Sequence, residues 1–546
     1  MKKTVYLSTT ILLLIAVVVM WLPWLGETLF YSKGEPREAI VAVSMLQSGD
    51  WILPVSAGSD IPYKPPFLAW LIAAAAWLFN GGEVNEFLSR LPSVLAAIAL
   101  VMATYTWARR IRGERFALYM ALILACSVEF FRDAIACRVD MVLTACMVGA
   151  MYMLYDLRER GGSWWRYACV VLLLSGAICT KGPVGALLPC LAVGLYQLLH
   201  GDRFYVTLGK LSLICVLSFI LPGVWYYLAW RQGGDGFLYT MWEENIMRLL
   251  GTMPYESHVR PFWYNFSTIL LGMLPWTLLA AVAIVAWRRY QRRALRSAGL
   301  FALVCALTVI IFYCIPSSKR SVYLLPAYPF ISYAVASIVE GLAATRITRY
   351  YSIGLAWLAI VVPVVMAVTR FYPIAGYDIA PTSWWGWLLL LLPIATSAIW
   401  LTSNKKEAPF DGACIAMCSL LTLYSAVIMP AVLNPLSDLP EARRIEALAG
   451  DKPIYIVGED PHYAIAFNIN FYLNDRLRRL PHAADADTVA PGTVMLFSVD
   501  TDTVGLPADC PVRVLKQRFS DTRRPAFIAV KMDTLTPDAD FWETNP

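Results

Sequence analysis

The sequence predicts an α-helical polytopic membrane protein of about 13 transmembrane helices, closed by a small soluble α/β domain. Three observations carry that prediction. The 546 residues are 58% hydrophobic and only 15% charged, with 20 tryptophans and a mean hydropathy of +0.57, too apolar for a soluble globular chain. Apolar runs close to the length that crosses a bilayer, roughly 20 residues, recur along most of the chain. After residue 434 that pattern stops, and short alternating segments bounded by polar turns replace it.

Lys2 and Lys3 precede an apolar run from Val5 to Leu25 with no small-residue cleavage site, which reads as a retained first span. Further runs centre near residues 97, 123, 149, 172, 191, 217, 276, 306, 331, 361, 392 and 422. The shorter piece from Phe67 to Phe79 reads as re-entrant or interfacial. With the N-terminus inside, every second loop is basic: Arg109, Arg110, Arg112 and Arg115; Arg158, Arg160 and Arg166; Arg203 and Lys210; Arg288, Arg289, Arg292, Arg293 and Arg296; Arg346 and Arg349; Lys405 and Lys406. Cytoplasmic loops retain such an excess. An odd number of spans then places the 34–66 loop and the C-terminal region on the far side. The expected organisation is a membrane domain over 1–434, with 34–66 as its first functional loop, and a soluble domain over 435–546. In the latter PIYIVGED, TVMLFSVD and FIAVKM read as strands.

The net charge of +6 lies in these topology-setting clusters, so membrane lipids are the expected surroundings and nucleic acid is not expected as a partner. Of the 12 cysteines, Cys126, Cys146, Cys169, Cys190, Cys215, Cys305, Cys414 and Cys418 fall in apolar runs, without CxxC or metal-ligand spacing. They read as small buried hydrophobes.

Charged residues in far-side loops need another reason than topology. Gly34 and Pro36 frame a helix start and Gly49 its stop, which puts Glu35, Arg37 and Glu38 in the first turn. Ile40, Val43 and Leu46 recur at helical spacing, as in a helix lying on the bilayer surface. Glu35 and Glu38 either complement the positive helix end or serve chemistry. Lys64, on the stiff Tyr63-Lys64-Pro65-Pro66 backbone, either snorkels or faces a phosphate at headgroup level. In Arg132-Asp133-Ala134-Ile135-Ala136-Cys137-Arg138-Val139-Asp140, Asp140 at the mouth of the next span is expected to lie deeper than Asp133 and is harder to read as solvated surface. Lys181 in TKGP, Glu243 and Glu244, the stretch from His258 to Tyr264, and Lys319 before Tyr323 complete the set.

Carboxylates and cations converging on one side at lipid depth suit a reaction on a lipid-linked phosphate. Cations hold the phosphate, and a carboxylate takes a proton from the attacking group. Transfer of a sugar from such a phosphate needs little more, because the phosphate leaves readily and carboxylates stabilise the oxocarbenium-like transition state. There is no Walker A sequence and no GxGxxG at a strand–helix junction, so a nucleotide donor is not expected.

In order and spacing, GEPREAIVAVSMLQSGDWILP, PYKPP, CRVD, TKG, EENIMRLL, HVRPFWY and SKRSVYLLP resemble the lipid A aminoarabinose transferases (ArnT) and the wider protein-mannosyltransferase-like GT-C superfamily. The resemblance implies an inner-membrane enzyme with its active site on the periplasmic side, moving a sugar from an undecaprenyl-phosphate carrier to lipid A with inversion, and acting as a monomer. It implies that Lys64 and Arg37 bind the donor phosphate, that Asp140 positions the reacting groups, and that Lys181 and Lys319, with Tyr323, line the same cavity. His258 matches a position that can ligate zinc, although no cofactor is required. Two positions depart from the family pattern. Its catalytic Asp is here Gly34, leaving Glu35 as the nearest carboxylate, and the Glu before the lysine is here Tyr63, which removes the acidic partner of a zinc site. The main carboxylate role therefore falls to Glu35 or Asp140. Another acceptor, a protein hydroxyl or a different surface glycan, is the runner-up reading. A transporter is the competing class, but no inverted repeat is visible and the charges cluster on one side.

Overall fold

The computed structural model describes residues 2–252, 258–279, 281, 297–342, 346–373, 379–381, 383–403, 409–457, 464–480, 482, 485, 488–498, 512–515 and 526–531. The chain forms two compact units, Met1–Thr28 with Tyr63–Val432, and Leu29–Pro62 with Leu433–Pro546. Residues 29–62, expected with the membrane domain, therefore fold with the C-terminal region.

The first unit is helical. Among the described residues, eight helices are long and apolar enough to cross a membrane: Glu86–Arg112 (α4), Val139–Arg160 (α7), Phe204–Met247, Ser297–Cys314, Ser321–Leu342, Arg346–Thr369, Trp384–Thr402 and Phe410–Leu436. Phe204–Met247, at 44 residues, is far longer than one crossing needs. It comprises α10 (Phe204–Ser218) and α11 (Ile220–Trp242), where the sequence predicts a single span centred near residue 217. Other expected spans lie outside this set: α1 (Lys2–Trp21), α5 (Glu114–Ala125), α8 (Trp164–Lys181) and α9 (Val184–Leu199). α3 (Phe67–Phe79) is 13 residues, as its short apolar run predicts. The basic residues 288–296 and Lys405 and Lys406 lie outside the described residues.

Helix ends follow their caps. Asn85 accepts a hydrogen bond from Leu88 N at the start of α4. Within α4, Arg90 is 1% exposed. Its guanidinium donates to the carbonyls of Leu25 (2.6 Å) and Thr28 (2.5 Å), satisfying the chain as it leaves the first span. Aromatic rings fill the interior. Trp107 stacks on Tyr152 at 4.6 Å, and Tyr155 and Phe301 close around it. The described cysteines are all free thiols and none is exposed, in keeping with a packing role.

The second unit carries a five-stranded mixed sheet in the order β2-β1-β3-β5-β4. β1 (Ile454–Val457) pairs in parallel with β2 (Leu477–Leu480) and β3 (Val494–Ser498). β5 (Ala526–Lys531) runs antiparallel to β3 and to β4 (Val512–Leu515). The three strands read from the sequence are β1, β3 and β5. Ala442, Ile445 and Ala449 of the Leu439–Ala449 helix and Ile469 of the Ala464–Tyr472 helix pack on Ile454, Ile456, Val494 and Leu496. Against the same unit lies α2 (Pro36–Ser48), with Pro36 in its first turn. Gly49 closes it at φ 70°, donating to the Met45 carbonyl, as the sequence spacing predicts.

Candidate active site

α6 (Val128–Ala134) and the following loop set up the mouth of α7. Ser93 of α4 donates to the Arg138 carbonyl (3.2 Å), so α7 begins at a fixed point. Asp140 falls in its first turn, where the positive helix end favours an anion. Thr144 Oγ1 donates to the Asp140 carbonyl (2.7 Å) one turn on.

The cation opposite Asp140 comes from the end of α8. Lys181 is its last residue, and Gly182 takes the left-handed φ of 83° that turns the chain away. A Cβ on Gly182 would lie 2.4 Å from Asn245 Oδ1, so glycine also lets the Glu243–Met247 turn approach. That turn is π-helical, a local widening common at functional sites. Asn245 is held within it by donating to the Met241 carbonyl (2.9 Å).

Lys181 Nζ makes a short charge-assisted hydrogen bond to Asp140 Oδ1. It also stands 4.0 Å above the centre of the Tyr323 ring, a cation–π contact. Tyr323 in turn packs on Tyr313 at 5.4 Å. Lys64 and Arg320 act electrostatically on Asp140, and Arg248 and Arg320 on Tyr323. Arg248 is paired with Glu244 (2.7 Å), one turn earlier. Lys64, Asp140, Lys181 and Tyr323 thus share one charged cluster. Arg320 and Arg248 join it although the sequence reading did not single them out. The signal was available, since both sit inside the quoted segments SKRSVYLLP and EENIMRLL.

Lys319 is placed differently. It is 5% exposed, with Nζ on the carbonyls of Pro316 (2.5 Å) and Arg260 (3.3 Å). Its backbone N–H donates to the His258 carbonyl (3.0 Å), and Val259 bridges Ser318. Lys319 therefore ties two loops together and positions its neighbour Arg320. His258 itself is exposed, with φ 55°. Among the described residues no three His, Cys, Asp or Glu side chains converge as a metal site, and no chemistry here is routed through one. Glu35 and Arg37 belong to the other unit, at the start of α2. Glu35 is 6% exposed, and Arg37 pairs with Glu38 at 3.5 Å.

Asp133 is buried as well, 1% exposed against 7% for Asp140. Neither of its buried oxygens has a hydrogen-bond partner among the described residues. Burial, with the Glu129 charge beside it and only partial compensation from Arg132 and Arg138, pushes its carboxyl up to about 7. The folded protein then holds a proton that the unfolded chain has released between the ordinary carboxylate range and about pH 7, so stability should fall as pH rises through that window and level off above it. The span corresponds to at most about 4 kcal/mol. Asp133→Asn should flatten the dependence, read as melting temperature of the detergent-solubilised protein at pH 5 and pH 8. An identical drop in both proteins would remove Asp133 from the explanation.

The comparisons with known proteins agree with this architecture. The family model for dolichyl-phosphate-mannose-protein mannosyltransferases matches residues 63–227. An undecaprenyl phosphate-alpha-4-amino-4-deoxy-L-arabinose arabinosyl transferase of Edwardsiella ictaluri is 29% identical over 350 residues, 63% of this chain and 61% of its own length. The corresponding Serratia proteamaculans protein is 25% identical over 77% of this chain and 76% of its own length. In fold, the crystal structure of ArnT from Cupriavidus metallidurans bound to undecaprenyl phosphate aligns with TM-score 0.75 at 20% identity, covering 97% of this chain and 99% of that one. In sequence the chain is similar to the dolichyl-phosphate-mannose-protein mannosyltransferases over residues 63–227 and to the aminoarabinose transferases over most of its length, and its fold is similar to that of ArnT.

Proposed function

We propose that the protein moves a sugar from an undecaprenyl-phosphate carrier to an envelope acceptor on the periplasmic face of the bacterial inner membrane, with 4-amino-4-deoxy-L-arabinose and lipid A as the leading donor sugar and acceptor. The observation that carries this reading is the cluster of Lys64, Lys181 and Arg320 about Asp140 and Tyr323. A lipid-linked phosphate offers one charge at headgroup depth, and such cations answer it. The names and coverage of the relatives support the carrier.

The chemistry is a single displacement. The bond between the anomeric carbon and the phosphate oxygen breaks, the phosphate leaves with both electrons, and an acceptor oxygen attacks from the opposite face. The proton of that oxygen passes to a carboxylate. Lys64 and Arg320 hold the departing phosphate as its charge grows, and Arg37 is the further candidate for that task. Lys181 orients Asp140 through its hydrogen bond to Oδ1. Glu35 or Asp140 receives the proton.

Mass spectrometry of lipid A from cells with and without the gene tests the acceptor. Loss of one aminopentose mass on lipid A is the expected result. An unchanged lipid A beside an altered glycan or glycoprotein would transfer the same chemistry to the runner-up acceptor.

A further inference from the structure

We infer that Tyr313 is a substrate-contacting residue of the transfer site: its hydroxyl binds an uncharged hydroxyl of the donor sugar, and Asn265 holds it in position. This inference rests on the functional reading above. Tyr313, Asn265, Asp140, Lys181 and Tyr323 all belong to the first unit. Tyr313 is the penultimate residue of the Ser297–Cys314 helix. Its ring packs 5.4 Å from that of Tyr323, and Asp140 and Tyr323 act electrostatically on its hydroxyl. That hydroxyl makes no hydrogen bond among the described residues. The hydroxyls of Tyr105, Tyr226 and Tyr328 also lack a partner, but they are sealed inside the protein, whereas the Tyr313 oxygen is not. An unpartnered hydroxyl beside a charged cluster, on a side chain only 9% exposed, is placed for a ligand.

The neighbouring groups suit the phosphate better than the sugar. Lys181 is committed to Asp140 and to the face of Tyr323, Arg248 is paired with Glu244, and Arg320 adds a further charge beside Asp140. Full charges answer an anion. A ring hydroxyl is neutral, and a phenol, which both donates and accepts, matches it without leaving a charge buried. Asn265 fixes where that phenol stands. It is 1% exposed, in the first turn of the Tyr264–Gly272 helix, and its Nδ2 donates to the Tyr313 carbonyl at 2.8 Å. That carbonyl is one of the last four of its helix, which have no partner within the helix. Nδ2 also reaches Cys314 Sγ at 3.5 Å. Past the helix end, Arg260 N donates to the Ser317 carbonyl at 3.1 Å, so the two loops stay joined beyond Tyr313. A buried amide thus pins the last turn of the helix, and with it the phenol, against Tyr323.

The test uses the full-length protein, with undecaprenyl phosphate and undecaprenyl-phosphate-linked 4-amino-4-deoxy-L-arabinose as the two ligands. Tyr313→Phe removes one oxygen and keeps the ring. It should weaken binding of the sugar-bearing carrier by about 10-fold or more and lower kcat/KM for transfer to match, while binding of the bare carrier stays within about 2-fold. Equal weakening of both carriers would overturn the inference, and so would a loss confined to the KM of the acceptor. Asn265→Ala should produce the same selective loss and have almost no further effect in the Tyr313→Phe background. A full, multiplied loss in the double variant would remove Asn265 from the positioning role. A wild-type protein that binds neither carrier would bring down the functional reading, and this inference with it. One that binds both, with affinities that Tyr313→Phe leaves unchanged, would overturn the inference alone.

Discussion

Asp140→Asn should lower sugar transfer by roughly 10²- to 10⁴-fold while the protein still folds and binds the polyprenyl carrier. The substitution keeps the volume at the first turn of α7, where the side chain is 7% exposed, so packing changes little. What disappears is the negative charge that Lys181 holds through its hydrogen bond. Lys181→Met is the informative partner. It leaves Asp140 buried without that ammonium, which should destabilise the protein by about 3–5 kcal/mol. Combining the two changes should recover most of that stability, since a neutral amide tolerates the loss, yet recover no activity. Melting temperatures and single-turnover rates of the four proteins check this together. Full activity in Asp140→Asn would exclude Asp140 from the reaction.

Gly182→Ala should damage the site through backbone and side chain together. Its φ of 83° disfavours any L side chain, and the new Cβ would lie 2.4 Å from Asn245 Oδ1. The conformational cost is about 1–2 kcal/mol. Either Asn245 gives up its bond to the Met241 carbonyl, or the end of α8 turns and carries Lys181 off Asp140. Transfer should fall by about 10-fold or more. A second variant, Asn245→Ala in the Gly182→Ala background, should relieve the steric part and restore some activity. If it restores none, backbone strain at residue 182 accounts for the whole loss.

Much of the fold was legible in the sequence because it rests on local rules. Apolar runs predicted the helices, Pro36 and Gly49 bracketed α2, and β1, β3 and β5 stood out as apolar strands. β2 and β4 escaped notice because LRRL and VRVL carry arginine and are four residues each, too short for alternation to register. The charged cluster was legible in kind, from cations where topology does not need them. Its membership was not, because Lys319 spends its ammonium on two carbonyls while the adjacent Arg320 acts electrostatically on Asp140. The burial of Asp133 was not legible, since it depends on how α6 packs, which no spacing rule describes. The joining of residues 29–62 to the C-terminal unit was equally hidden, as Ser44 donates to Asp475 across 431 positions.

That separation sets a schedule for the newborn chain. At about 5–20 residues per second, roughly 20–80 s pass between synthesis of α2 and synthesis of the residues that anchor it. Throughout that interval Glu35, Glu38 and Ser44, all buried in the finished unit, wait without their packing partners. The segment is therefore a place where proteases and folding helpers compete for an unfinished molecule, and a chain ended before residue 433 would leave it in that state for good.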